Sequence, residues 1–201
     1  LSVLYGDKDY LHEMKTLEDR WEAMVICLGS ESFPDFLLVH WISRHTFVRQ
    51  SELFKTIRSK VTSREEVFKL LQGMEEDIKT YLAFTQVESS QWPVDLKESI
   101  QDLHMLRVRQ PFPLLLAAYR MLSASDFERV LRNCIAIAFR YIVIGSQPTN
   151  KQESIYYLVA QKISRGDIST ATAVLEAMQF VYPSDDEFRS AFSDKKISAT
   201  T

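Results

Sequence analysis

Apolar residues recur at intervals of three and four almost from one end of this chain to the other. On a helix of 3.6 residues per turn that spacing gathers them onto one stripe, whereas on a strand it scatters them over both faces. Only five glycines and six prolines punctuate the 201 residues, so the breaks that many short strands and tight turns require are scarce. The pattern predicts an all-α fold, an orthogonal or bundle-like packing of roughly nine to ten helices.

Leu11, Met14, Leu17, Trp21, Val25 and Leu28 step by three or four, predicting a helix over 8–28 that Gly29 closes. Ser32, with Pro34 in the first turn and Asp35 three residues on, opens a second helix through FPDFLLVHWISR to about His45. A third runs from Gln50 to Lys60 with Leu53, Phe54 and Ile57 inward. Ser63 and Glu66 form a capping box for a fourth, in which Val67, Leu71, Met74, Ile78 and Tyr81 make a seam for a partner helix. Phe68, Leu70, Leu82 and Phe84 widen that seam, which favours an antiparallel hairpin over a coiled-coil dimer. The pattern lapses at VESSQWP, marking 86–94 as a linker between helical halves 1–85 and 95–201, with one domain over 1–201 as the alternative.

In RQPFPLLLAAYR, Pro111 pushes Gln110 out of the α region, while Pro113 fits a first helical turn, where its missing N–H has no partner to lose. Leu114, Leu115, Leu116, Ala117, Ala118, Tyr119, Met121 and Leu122 then put apolar residues on every side, predicting a central helix over 113–122 surrounded by others and too short to anchor in a membrane. Ser125 and Glu128 read as the cap of a long helix ending CIAIAFRYIVIG, stopped by Gly145 and Pro148. Its run Ile142, Val143, Ile144 suits a strand, but the upstream cap and the unbroken length favour helix. Further helices are expected to Arg165 with Gly166 as cap, from Ser169 to Phe180, and from the Ser184–Glu187 cap to Phe192.

Lysine and arginine number 24 against 27 acidic residues, so a nucleic-acid contact has to be local. The one basic segment is RHTFVRQSELFKTIRSK, where Arg44, Arg49, Lys55, Arg58 and Lys60 face only Glu52, with Phe47 and Phe54 between them. It reads either as a phosphate-contacting helix or as a solvated face whose phenylalanines are core. Cys27 and Cys134 lie in helical apolar stretches, which suits a reducing cytoplasm better than a disulfide framework. No apolar run is long enough for a membrane span, and Asp7, Lys8 and Asp9 stand where a signal peptide is apolar. Leu1 and the closing SATT read as ends of a piece of something larger.

Candidate chemistry is sparse. His40 and His45, five apart, point about 140° from each other on a helix and do not make a zinc pair. Neither a metal-ligating, nucleophile-elbow nor phosphate-loop motif occurs, so no catalytic residue, metal or cofactor is assigned. The clusters Glu75, Glu76, Asp77 and Asp185, Asp186, Glu187 read as solvated faces or helix starts. Arg140 interrupts an apolar face and needs a carboxylate, helix-end carbonyls or a bound anion, because an unpaired buried charge costs about 3–5 kcal/mol. Arg109 is placed to bond the last carbonyls of the preceding helix.

The order FPDFLLVHWISR, ELFKTIRSK, YLAF, RQPFPLLLA, FRYIVIGSQPTN, YPSDDEFRSAF resembles the central helical region of GmrSD-like proteins, bacterial modification-dependent restriction proteins. The resemblance spans roughly residues 18 to 193. In that family an N-terminal domain of ParB or sulfiredoxin-like fold senses or hydrolyses nucleotide, and a C-terminal His-Asn-His nuclease domain cuts DNA. The catalytic sequence of the first and the histidine-proline signature of the second are absent here, so no catalytic residue carries over. What the resemblance implies is positional: Arg109 and Pro113 with the core helix, Arg140 with the helix end before Asn150, and Tyr182 to Phe188 closing the domain. It implies a non-catalytic spacer in an antiphage NTP-dependent DNA endonuclease, with flanking domains as partners and DNA touched through Arg44, Arg49, Lys55, Arg58 and Lys60. The alternative is a stand-alone protein-interaction or ligand-binding regulatory module with an apolar groove along the stripe of 67 to 84.

Overall fold

Several helix starts fall where the sequence supplies an oxygen for the unpaired first N–H groups. In the computed structural model, which describes the backbone of residues 8–144 and 149–194 and the side chains of 12–141 and 150–194, Ser32 Oγ accepts the Asp35 N–H. Ser63 and Glu66 close a reciprocal capping box, and Ser184 and Glu187 close another at 2.9 and 3.2 Å. The helices are α1 (Lys8–Leu28), α2 (Phe33–Arg44), α3 (Gln50–Lys60), α4 (Arg64–Thr85), α5 (Val94–Met105), α6 (Phe112–Met121), α7 (Ala124–Ile144), α8 (Thr149–Arg165), α9 (Ala171–Met178) and α10 (Asp185–Asp194), of which α3, α5 and α6 start without a side-chain cap. Short 3-10 turns lie at Val87–Ser89 and Gln179–Val181, and no strand occurs among the described residues. The fold is all-α. Among those residues no single helix is long and apolar enough to cross a membrane. Gly145 and Pro148, expected to stop α7, lie outside them.

The cap of α7 is Ser123 rather than Ser125. Ser123 Oγ accepts the Asp126 N–H at 3.1 Å and donates to Asp126 Oδ2 at 2.7 Å. Glu128 therefore falls beyond the first turn and pairs with Arg132 one turn on. Glycines close α1 and α8 in the left-handed region, Gly29 at φ +58 and Gly166 at φ +80. The same closure ends α5 on an arginine: Arg107 stands at φ +55, and the Val108 N–H reaches back to the Leu103 carbonyl at 3.1 Å.

One apolar cluster runs from Leu17 to Val181 and takes in Val87 and Ile100 on the way. Trp92 packs on it, its ring edge-on to Phe84 and Phe127 at 5.4 and 5.8 Å. α6 is its middle, packed by α2, α4, α7 and α8. Burial is complete from Phe112 to Ala118 and then ends: Tyr119 is 43% and Met121 47% exposed, so the central helix is not enclosed along its whole length. The seam of α4 is buried, as its spacing requires, but its neighbour is not an antiparallel hairpin partner. α1 packs there, and the pairs Glu13–Arg64 and Arg20–Glu75 advance together along both helices, so the two run parallel. Two intervening helices give the chain length to return in that direction. α3 is tethered by Leu53 to Trp41 and Val48. Phe54, expected inward, is 75% exposed, because the 100° step from Leu53 turns it off the one contact face of α3.

Candidate functional site

Two residues four apart on α2, His40 and Arg44, face two residues four apart on α4, Gly73 and Asp77. That spacing stacks each pair on one side of its helix. Gly73 brings the helices together, since a Cβ there would lie 3.2 Å from Arg44 Cζ and 3.3 Å from His40 Cε1. Asp77, 3% exposed, then receives every cation in reach. His40 Nδ1 lies 2.7 Å from its Oδ2, and Arg44 donates to both oxygens at 2.9 and 3.0 Å. From α6, Arg120 donates to the same two oxygens at 3.2 and 3.3 Å. Its other nitrogen bonds the Ser43 carbonyl at 3.0 Å and Ser164 Oγ of α8 at 2.9 Å. One carboxylate thus joins α2, α4 and α6, and Arg120 extends the joint to α8.

Burial would push the Asp77 carboxyl up, but hydrogen bonds from His40 and Arg44 and the charge of Arg120 hold it down at about 2. Burial lowers His40 in turn, and the bond to Asp77 does not restore it, because Arg44 and Arg120 already neutralise that carboxylate. The ring is neutral at pH 7 and donates its Nδ1 proton. Both members of the pair are buried, and the contact ties α2 to α4.

Arg44 thereby leaves the basic set read from the sequence. It also bonds Glu76 at 3.1 Å and the Gly73 carbonyl at 3.3 Å, which turns its charge inward. Arg49, Lys55, Arg58 and Lys60 remain exposed, and none pairs with a carboxylate among the described residues. The acidic run of α4 is not simply solvated either: Glu75 takes Arg20 in a two-pronged bond at 2.7 Å, Glu76 takes Arg44, and Asp77 turns inside. Arg109 bonds no helix-end carbonyl; it reaches Glu31 at 3.6 Å, because α5 satisfies its own end through Arg107 and Val108. Pro113 is buried in the first turn of α6.

Arg140 has the partners its position demands. It donates to the Pro183 carbonyl at 2.9 Å and to Asp185 at 2.6 Å. Its guanidinium lies over the rings of Tyr182 and Phe188, 4.6 and 4.9 Å from their centroids. Tyr182 is thus part of a clamp that fastens the start of α10 to α7, and the bond to Arg140 pulls Asp185 below the ordinary carboxylate range. His45 lies against Trp41, ring centroids 4.1 Å apart and planes tilted by 37°, and takes no part in the hydrogen bonds to Asp77 among the described residues.

Beneath α1 and α3 lies an apolar groove of about 800 Å³, walled by Leu17, Trp21, Ile57, Val67 and Leu71 with Met74 at its base. Glu18 and Glu22 stand on one lip and Arg58 on the other. The described residues bring together no three His, Cys, Asp or Glu side chains able to hold a metal ion. His40 and Asp77 carried no local signal beyond their four-residue spacings to Arg44 and Gly73, and Arg120 and Ser164 carried none; the partners lie 33 to 121 residues apart.

Comparison with protein-family models, curated proteins and solved structures finds no match.

Proposed function

We propose that this chain is a non-catalytic helical scaffold in a bacterial cytoplasmic restriction protein of antiphage defence. It couples a nucleotide-sensing domain to a nuclease domain and holds DNA by its backbone through α3. The observation that carries this is the contrast between two sets of charges. The buried ones around Asp77 neutralise one another, while Arg49, Lys55, Arg58 and Lys60 stand exposed on α3 without acidic partners among the described residues. Such a helix supplies salt-dependent affinity without base recognition. The order of motifs from FPDFLLVHWISR to YPSDDEFRSAF supports the setting between those two domains. The test is the whole reading frame and its product. The proposal expects a nucleotide-binding domain before these residues, a nuclease domain after them, and NTP-dependent cleavage of DNA by the full-length protein. A frame confined to these residues, or a product without nuclease activity, contradicts it.

The groove beside α4 favours a second reading, a protein-interaction or regulatory module. Its apolar walls and the acidic lip of Glu18 and Glu22 suit an amphipathic partner helix with basic residues beside its apolar stripe. Reversing Glu18 and Glu22 to lysine would abolish capture of such a partner and leave DNA binding intact.

A further inference from the structure

Where α6 leaves the core, Tyr119 turns out over a second pocket, of about 400 Å³, between the end of α4 and the segment that follows it. The phenol ring is laid almost flat on the Trp92 indole, centroids 5.2 Å apart and planes at 24°. Trp92 is itself wedged edge-on against Phe84 and Phe127, so the stack is anchored in the core and its outer ring is held still. Around this ring the chain gathers hydrogen-bonding groups. Lys79, Gln86, Ser90 and Gln91 line the pocket. Ser90 Oγ is buried without a hydrogen-bond partner among the described residues. Buried hydroxyls almost always have one, so the pocket holds an unmet demand for a polar ligand atom.

A rigid aromatic plane, two amides that each offer donor and acceptor, a free hydroxyl and a lysine suit one class of ligand. A nucleobase stacks on aromatic side chains and presents both donors and acceptors along its edge. Its phosphate gives the lysine a partner, which a neutral sugar stacked on the same ring would not. The pocket volume is within the range of small-ligand sites. We propose that this pocket binds a nucleotide, its base on Tyr119, the base edge against Gln86, Gln91 and Ser90, and its phosphate toward Lys79. The same chemistry is offered by a free nucleotide and by an unstacked nucleotide of a single strand.

The experiment records the indole N–H signal of Trp92 in ¹⁵N-labelled protein, assigned with Trp92→Phe, during titration with AMP, adenosine, a short oligo-dA single strand and maltose. The proposal expects the Trp92 signal to shift with AMP or with the strand. Tyr119→Ala should weaken that binding about tenfold, the effect of losing one stacked base, and Tyr119→Phe should preserve it. Lys79→Gln should weaken AMP and leave adenosine unchanged. A response to AMP as strong as to the strand identifies a free nucleotide, and a response to the strand alone identifies an unstacked one. No shift at millimolar probe, a shift with maltose alone, or affinity indifferent to both Tyr119→Ala and Lys79→Gln overturns the proposal; thermal melts confirm that each variant folds. The pocket does not depend on the DNA contact proposed for α3. Reversing Arg49, Lys55 and Arg58 to glutamate leaves the Trp92 response in place, so failure of one reading is distinct from failure of the other.

Discussion

Asp77 is one carboxylate answered by two guanidinium groups and a neutral imidazole N–H, and its behaviour with pH follows from that. Its folded-state pKa of about 2 lies below the ordinary aspartate value of 3.8. Between those values the unfolded chain binds the proton and the folded one does not, so stability is present above about pH 4 and lost as pH falls toward 2. With Asp77 3% exposed, the difference is worth about 2.5 kcal/mol. His40 acts in the same direction at higher pH. Its pKa is lowered by burial, so the unfolded ring takes a proton first, and stability declines as pH drops below about 6.5. Denaturant midpoints measured from pH 7 to pH 3 should therefore fall in two steps, with His40→Asn reducing the upper one, to which His45, lowered to about 4 by burial, also contributes. Asp77→Asn leaves the Arg44 and Arg120 guanidinium groups without their shared anion, and should cost about 3 kcal/mol in the same measurement at pH 7. A loss below about 0.5 kcal/mol would mean that water, not Asp77, satisfies those arginines.

The helices owe their ends to a few local oxygens and glycines, and those are testable one at a time. Ser123→Ala should cost about 1 kcal/mol of unfolding free energy, and Ser125→Ala no more than a few tenths. The reverse order would move the cap of α7 back to Ser125. Gly166→Ala forces a Cβ into the left-handed region at φ +80 and should cost about 1–2 kcal/mol, although nothing stands within 4 Å of that Cβ. Such local devices are what a sequence displays well: the Ser32, Ser63 and Ser184 caps and the bounds of α3 lie where spacing and cap chemistry predict. At α7 two serines compete, and Asp126, which answers Ser123, is itself fixed by the Ala171 N–H at 2.9 Å, a contact from 45 residues away. The site was hidden for the same reason. Asp77 sits in an acidic run that looks solvated, Arg44 sits in a basic run that looks like a phosphate contact, and only the approach of α2 to α4 at Gly73 pairs them. Arg140 was legible because a charge on an apolar helix face has to be satisfied by something.

Across the whole molecule, the apolar cluster that runs from Leu17 through Val87 to Val181 predicts that both helical halves unfold together. Urea transitions followed by helical circular dichroism and by tryptophan fluorescence should coincide; two separate steps would show that the segment at 86–94 divides the chain. On that single body α3 is attached through Leu53 and carries its cations outward, which is the feature the functional account rests on most. The direct test is the affinity of the chain for a short DNA duplex measured across a range of salt concentrations, for the wild type and for the variant with Arg49, Lys55 and Arg58 reversed to glutamate. The account predicts binding at low salt that weakens steeply as salt rises, and a variant whose log–log slope is shallower by about 0.9 for each phosphate contact removed. Equal slopes and affinities in the two proteins, or no binding by the wild type at low salt, would contradict it.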